Sequence, residues 1–573
     1  MSKKIKSGIQ LARAVNISSA TGGQPAKKWL VRRYADGASG AHLLGLSFPT
    51  FGGGRGKLLL PMSTTAAPRE IVKALIDRGA DWPNDAAQQE RSIGQIISAV
   101  PDQACVLSGT SGWVDDVFMF GKLAIGAHKG AYRVHEHLIR GTERLAKKAK
   151  TSDTWKRSVA KSAAKSSYAA FTIMQALAAP LLIFADLPEG AIFHFGGSGS
   201  TGKTTALMAG ASVYGAAHPL PGWQAGERGL HERAAANSDL QLILDDTEKL
   251  PVTSRNRYQE IASIAHTLTS GESRDYAQSV QKTLPKLQWR CWAVSSGPNI
   301  MEREFAGASH NWSDGDRARW IDIPVPSKNE GGVWDRVPAK ESFKARGKRS
   351  NDLFRRTNRA YGAIGRQWIR LVQEKRQDFA VNLPREIDRF VDRVCPTGGG
   401  VERRIAAKFG LVYAAGRLAT RQGLLPWSGN LPLKICMRLY LRCMAINGGM
   451  ERALDAAKAQ LLTAIKDGDR FPIATDARPA LPNNFEGYRR LKSGGTELVI
   501  TQAAFRSITG SSATGLLREF QADVVLESGH GKRSAKQVRV NIDGRTSKHR
   551  MLVFSYDRLL TALGEDRQEG IPN

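Results

Sequence analysis

The chain has 573 residues, more than one ordinary core organises, so three or four domains are expected. Its apolar fraction of 42% is that of a globular protein, and no apolar stretch reaches the roughly 18–20 residues of a membrane span; the best, Ala176 to Ala185, is short and contains Pro180. Lysine plus arginine number 83 against 53 acids, a net charge of +30 that points to a polyanion as partner, by default nucleic acid.

No apolar run follows Met1-Ser-Lys-Lys-Ile-Lys, so no secretory leader is expected. Residues 1–125 read as a β-rich unit. Short apolar segments, Trp29-Leu-Val-Arg-Arg and Lys57-Leu-Leu-Leu-Pro, alternate with glycine-rich turns, and one helix follows Pro68. Residues 126–335 form the chemical core. It is entered through a basic helical stretch from Arg140 to Lys165, either a solvated face or a surface for a phosphate backbone. An apolar helix, Tyr168 to Phe184, follows. Ala191-Ile-Phe-His-Phe then reads as a strand buried on both faces, and Lys203 to Tyr214 as a helix. Further strands at Leu240–Leu244, Arg290–Val294 and Trp320–Ile323 alternate with helices, the signature of an α/β domain with a mostly parallel sheet. A second basic cluster spans 342–359. Residues 336–466 form a helical lid, 467–495 a linker rich in Pro, Gly, Asp and Asn, and 496–573 a winged-helix-like domain. In that last domain helices at Gln502–Ile508 and Ser512–Ala522 precede strands at Val524–Glu527, Gln537–Asn541 and Met551–Ser555, with a basic wing at Gly529–Ser534.

The chemistry sits in Gly197-Ser198-Gly199-Ser200-Thr201-Gly202-Lys203-Thr204, a complete G-x-x-x-x-G-K-[ST] followed by Thr205. Glycines let the backbone curl so that its N–H groups face a β-phosphate, and the helix N-terminus adds partial positive charge. Lys203 is expected on the β- and γ-phosphates and the Thr204 hydroxyl on Mg²⁺. A phosphate loop also needs an acid at the end of a neighbouring apolar strand. Leu240-Gln-Leu-Ile-Leu-Asp245-Asp246 supplies it: Asp245 for the metal, Asp246 for the attacking water, with Glu248 nearby. Ser295 and Ser296 end another strand and could sense the γ-phosphate or form a simple turn. Arg317 and Arg319 precede a further strand, where an arginine could reach a neighbouring subunit's nucleotide. His135-Glu-His137 has the wrong spacing for one helix face to hold a metal. The five cysteines, Cys105, Cys291, Cys395, Cys436 and Cys443, form no CxxC pair and read as buried thiols of a reducing, cytoplasmic protein.

Several segments resemble one domain family of phages, plasmids and integrated elements. It was first described as a domain of unknown function, and its members are described as superfamily II helicases and inactivated derivatives. The resemblance lies in Trp155-Lys-Arg-Ser-Val, Phe195-Gly-Gly-Ser-Gly-Ser-Thr-Gly-Lys-Thr-Thr, Gly229-Leu-His-Glu-Arg-Ala, Leu244-Asp-Asp, Arg319-Trp-Ile-Asp-Ile-Pro and Lys408-Phe-Gly-Leu-Val-Tyr. It implies an AAA+/RecA-like P-loop NTPase core that uses ATP and Mg²⁺. It also implies action on single-stranded or forked DNA as a helicase or translocase in replication of a mobile element, and self-association into a ring, a hexamer by analogy. Arg319 matches the family arginine and so outranks Arg317. The departure is Asp246, where the family carries glutamate. That departure favours the alternative of a nucleotide-gated DNA-binding protein or helicase loader; a defence or packaging ATPase is a third reading. No membrane partner is expected.

Overall fold

The structure, a computed structural model, describes residues 11–18, 25–37, 40–127, 129–134, 144–251, 257–273, 286–307, 312–335, 342–396, 400–474, 480–492, 495–510, 513–522, 524–527 and 534–564. His135-Glu-His137 and the expected wing at 529–533 lie outside them. The chain divides into two units, Met1–Pro298 with Asp314–Tyr440, and Asn299–Ser313 with Leu441–Asn573.

The first unit opens with strands β1 (Arg13–Ile17), β2 (Lys27–Asp36), β3 (His42–Pro49) and β4 (Arg55–Pro61), helices α1 (Pro68–Asp77) and α2 (Ala86–Ser98), and strands β5 (Cys105–Ser108), β6 (Gly112–Val114), β7 (Val117–Phe120), β8 (Leu123–Ile125) and β9 (Tyr132–Val134). One sheet runs β4-β3-β2-β5-β9, with β1 on β2, and a second runs β6-β7-β8. Strand alternation sorts the larger sheet's faces. Trp29, Val31, Leu44, Leu46, Phe48 and Leu58 are buried in one cluster with Ile71 and Leu75 of α1 and Ile93 and Ile96 of α2. Arg32 and Tyr34 fall on the other face. Helix α2 was not expected from sequence. Its start is fixed by Asp85, whose carboxylate accepts from the Gln88 N–H at 2.9 Å. The β-rich part also runs past residue 125, because β9 pairs with β5 in parallel.

The basic helical stretch is corrected. Arg144 to Lys150 is not helical: Ala146 and Lys150 have φ of +63° and +66°, and Leu145 and Ala149 bridge to Gly215 and Tyr361. Like charges with few acids among them do not support a helix, and bridging to the core satisfies this backbone instead. Among the described residues of this stretch, helix begins at Ser152, capped by Thr151. The apolar segment is corrected too: Ser167–Phe184 is long and apolar enough to cross a membrane, yet 83% of it is buried inside the fold. Its helix α3 (Ser167–Ala178) is buried on every side, the pattern of a central core helix.

Beyond it lie β10 (Ala191–Gly196), α4 (Lys203–Ala211), α5 (Glu227–Ala236), β11 (Gln241–Leu244), α6 (Arg257–Ser270), β12 (Trp292–Gly297), α7 (Asp314–Arg319) and β13 (Trp320–Pro324). The four strands form a sheet in the order β11-β12-β10-β13, every neighbouring pair parallel. Residues β10 to β12 are buried throughout, as strands covered on both faces must be. Helices α8 (Phe343–Arg359), α9 (Ala363–Glu374), α10 (Arg376–Val394), α11 (Gly400–Arg421) and α12 (Leu431–Lys466) follow. The basic cluster at 342–359 is thus one helix, α8. Asp239 ties this part to the N-terminal sheets. Its buried carboxylate accepts from the Trp113 N–H at 2.9 Å and from Arg290 at 2.5 and 2.6 Å.

The second unit contains a six-stranded sheet in the order β14-β16-β17-β19-β18-β15: β14 (Ile473–Ala474), β15 (Ala480–Leu481), β16 (Gly487–Lys492), β17 (Gly495–Thr501), β18 (Lys536–Ile542) and β19 (Arg545–Ser555). Helices α13 (Gln502–Thr509), α14 (Ala513–Ala522) and α15 (Tyr556–Ala562) accompany it. Leu498, Ile500, Leu552 and Phe554 pack with Phe505, Phe520 and Leu559 in one cluster. Two expectations are corrected. Residues 487–492 are a paired strand rather than linker, because Tyr488 is buried. Val524–Glu527 is not a strand and makes a single bridge, Leu526 to Phe554; the hairpin turns at Asp543-Gly544, between β18 and β19. The order helix, helix, hairpin is present, within a larger sheet than a winged helix needs.

Candidate nucleotide-binding site

The loop Gly197–Gly202 joins the C-terminal end of β10 to the N-terminus of α4, where the helix dipole favours an anion. Gly202 is the N-cap of α4 with φ +95°, and a Cβ there would lie 2.8 Å from Val333 Cγ2. Only glycine suits that position. Ser200 also holds a left-handed φ, +59°. Such strain, of order 1–3 kcal/mol per residue, persists where surrounding structure fixes it, commonly at ligand clamps. The Thr201 hydroxyl braces the loop by donating to the Ser198 carbonyl at 3.1 Å.

The Lys203 ammonium donates to the carbonyls of Gly197 and Ser198 at 2.5 and 2.7 Å. Burial pulls its pKa below the ordinary lysine range, against the opposing pull of Asp245, Asp246 and Glu248. The Thr204 hydroxyl stands 3.3 Å from Asp245 Oδ2 and 3.4 Å from Oδ1. Thr205 continues the first turn of α4.

Sheet order explains the convergence. Strand β12 lies between β10 and β11, and its register pairs Gly297 with Gly196 and Ser295 with Leu244. Consecutive side chains leave a strand on opposite faces, so Ser295 and Ser296 part company. The Ser296 hydroxyl donates to Asp245 Oδ1 at 2.5 Å and accepts from the Asp246 N–H at 3.4 Å. The Ser295 hydroxyl is buried away from this point, accepting from the Trp223 indole N–H at 2.8 Å and lying 3.0 Å from His194 Nδ1.

Asp246 takes φ +67° and caps a short 3₁₀ turn, Thr247–Lys249, accepting from the Glu248 N–H. It also pairs with Lys249 at 3.1 Å. Its carboxylate is therefore already engaged by the Glu248 N–H and Lys249.

Arg319 is not brought to Lys203 within the chain. It ends α7, just before Trp320, which pairs with Ile192, whereas the loop leaves β10 after Gly196, paired with Pro324. The strand rises roughly 13 Å between those levels. Arg319 Nη1 donates to the Gly315 carbonyl at 3.0 Å, and its Nε is buried with no hydrogen-bond partner among the described residues. Arg317 pairs with Asp314 at 2.9 Å.

Sequence reasoning missed what supports Arg319. The Lys408 ammonium, fully buried, donates to Glu189 Oε1 at 2.8 Å and to the Ala318 carbonyl in the last turn of α7, while Arg404 holds Glu189 Oε2 at 2.7 Å. Burial brings Lys408 down to about 8, Glu189 opposing and Arg404 and Arg319 adding to the fall. A signal existed: Lys408 stands on the apolar face set by Ile405, Phe409 and Val412, where a solvated lysine has no place.

All five cysteines are free and buried, and no group of three or more metal-ligating side chains occurs among the described residues. Residues 30–282 match the family model described as Domain of unknown function (DUF927). No curated protein matches the chain at a significant level. A solved structure described as "SCCmec type IV Cch - active helicase" is similar with a TM-score of 0.61 and 13% identity, over 94% of each chain. At that identity the likeness shows a shared fold of mixed α/β sheets across nearly the whole length.

Proposed function

We propose that the chain is a P-loop ATPase that drives movement on, or remodelling of, DNA as a helicase or translocase of a mobile element. The observation that carries this reading is the meeting of Thr204 and Asp245 at 3.3 Å at the start of α4, next to the glycine-rich loop that ends in its N-cap, Gly202. Oxygen donors of this kind suit Mg²⁺, which keeps most of its waters and takes one or two protein ligands. Bound Mg²⁺ with ATP would neutralise charge on the phosphates and align them. Residues Gly197 to Thr205 would bind the phosphates by backbone N–H groups, with Lys203 exchanging its loop carbonyls for phosphate oxygens. Asp245 would hold the metal through Thr204 and water, and Ser296 would fix the Asp245 rotamer. Asp246, or Glu248, would orient the attacking water.

The neighbour's name, a helicase, supports a nucleic acid as the polymer, as does the net charge of +30. Because Arg319 lies at the far end of β13 from the loop of its own chain, it serves the reaction only if a second copy presents it, which is the reading of a ring, with a hexamer as the expected size. The winged-helix-like C-terminal domain is a further candidate DNA contact.

ATP hydrolysis measured with and without single-stranded DNA, for the wild type and Lys203→Ala, tests the proposal. DNA-stimulated turnover that Lys203→Ala abolishes supports it; turnover indifferent to DNA sinks it. One observation favours the second reading, a nucleotide-gated DNA-binding protein or loader. The Asp246 carboxylate is engaged by its own cap and by Lys249. A tailed duplex bound in an ATP-dependent way but never unwound would select that reading.

A further inference from the structure

The face of the N-terminal sheet opposite its core borders a cavity of about 800 Å³. Arg32, Lys57, Arg78, Lys122, Lys129 and Arg133 line it. Among the described residues no carboxylate lines it. Six cations without an acid are a costly arrangement for a closed fold, since each repels the others. The space suits an anion.

Its floor is not purely ionic. Tyr34 projects from β2 on the same face as Arg32, and its ring lies so close over β3 that a Cβ on Gly45 would come 2.3 Å from Tyr34 Cε2. Glycine at 45 therefore lets an aromatic ring lie down on the sheet. Leu59, Met119 and Leu123 add apolar surface around it. A flat ring on a sheet ringed by cations is the way single-stranded bases are stacked and their phosphates held.

The cavity also has no end at Lys129. A second space of about 360 Å³ shares Leu123, Ala124 and Lys129 with it and continues to Arg366 and Arg370. A third, of about 220 Å³, shares Arg366 and Arg370 and continues to Lys148. Neither is lined by a carboxylate among the described residues. A small phosphate compound would need one of these spaces; a chain of phosphates uses all three.

We propose that this groove, from Tyr34 and Arg78 across Lys122 and Lys129 to Arg370 and Lys148, binds single-stranded nucleic acid. The groove sits apart from the Lys203 loop, and the inference shares with the reading above only its polymer. Binding here needs no nucleotide.

The test uses the full chain without nucleotide and a fluorescent oligothymidylate of roughly 15 residues. The triple variant Arg78→Gln/Lys122→Gln/Lys129→Gln removes three exposed charges from the groove. The control, Lys348→Gln/Arg355→Gln/Arg356→Gln, removes three from the exposed side of α8. The groove variant is expected to bind roughly tenfold or more weakly, with a salt dependence shallower by about 2 in the log–log slope, at about 0.7 per lost phosphate contact. Its DNA-free ATP hydrolysis stays unchanged, and the control loses less than about threefold. Tyr34→Leu, which keeps the apolar cover, is expected to weaken binding roughly fivefold or more with the salt slope intact. Equal losses in groove and control variants, or none in the groove variant, overturn the proposal. So does tighter binding of duplex than of single strand at the groove. Full competition by thymidine monophosphate at millimolar level, with no dependence on oligomer length, overturns it in favour of a small-anion site. Loss of DNA-stimulated hydrolysis with groove binding intact would count against the ATPase reading alone.

Discussion

The Thr204 hydroxyl and the Asp245 carboxylate stand 3.3 Å apart although 41 residues separate them. With β12 between β10 and β11, the loop after one strand and the acid after the other open on the same edge of the sheet. Thr204→Val keeps the shape of the side chain and removes the oxygen. It is expected to raise the Mg²⁺ concentration for half-maximal ATP hydrolysis roughly tenfold or more, as loss of a metal-site partner does. Thermal stability should change little, because both groups face solvent. A Mg²⁺ titration of steady-state hydrolysis reads the effect, and an unchanged Mg²⁺ requirement would remove Thr204 from the metal site.

Asp246 carries two separable duties. As a cap with φ +67°, it sits where aspartate and asparagine alone among residues with a Cβ are comfortable. As a carboxylate, it is, under the proposed function, a candidate to activate water. Asp246→Asn preserves cap and backbone while removing the base. Stability should stay within about 0.5 kcal/mol of wild type, nucleotide affinity should hold, and turnover should fall at least roughly a hundredfold. If turnover survives in Asp246→Asn and is lost in Glu248→Gln, the base is Glu248.

The buried pair Lys408–Glu189 makes a prediction with a definite sign. Lys408 has a folded pKa of about 8, below the 10.4 of an unfolded lysine. Between those values the unfolded chain binds the extra proton, so this group's burden on the fold is full below pH 8 and lifts as pH rises toward 10.4. In Glu189→Gln the lysine loses its compensating charge and its folded pKa drops further. That variant should lose about 3–5 kcal/mol at pH 7, and the deficit should shrink as pH is raised to about 10. Denaturant melts of both proteins across that range test it; a deficit that does not change with pH would show that the pair's charge is immaterial.

The legible part of this molecule was the part built from contiguous residues. The loop Gly197–Thr204, the strand into Asp245 and the apolar runs of the parallel sheet are local patterns with a local physical meaning. What the sequence concealed depends on partners far along the chain. Ser295 and Ser296 are chemically identical, and only the register of β12 decides that one meets Asp245 and the other meets Trp223. Arg144 to Lys150 carries helix-forming residues, yet bridges to Gly215 and Tyr361 hold it in an irregular, non-helical course. Helix α2 has so few apolar positions that its periodicity is faint. The groove cations are spread over more than three hundred residues, from Arg32 to Arg370, and become a site only when the N-terminal strands are paired and α9 lies beside them.

Asp239 binds the N-terminal sheets to the parallel sheet through one fully buried carboxylate. Trp113 N–H and two nitrogens of Arg290 satisfy it. Asp239→Ala leaves the buried Trp113 N–H without its acceptor and the Arg290 guanidinium, 41% exposed, without its carboxylate, at a cost of about 1–3 kcal/mol. Because the residue also holds φ +56°, Asp239→Asn should lose less, keeping the backbone geometry and one acceptor oxygen. Thermal melts rank the three proteins, with wild type above Asn and Asn above Ala.

The two serines of β12 give the sharpest contrast, because one atom is removed in each case. Ser296→Ala frees the Asp245 carboxylate from the hydroxyl that fixes it. Stability should fall by no more than about 1 kcal/mol, while kcat drops roughly tenfold or more and KM for ATP moves little. Ser295→Ala strands the Trp223 indole N–H in a buried pocket, so its loss should appear as about 1–3 kcal/mol of stability. Its kcat, measured well below the melting temperature, should stay near that of the wild type. Should Ser295→Ala instead remove turnover from a stably folded protein, the γ-phosphate sensor is Ser295, and the side of β12 that faces the nucleotide is the opposite one.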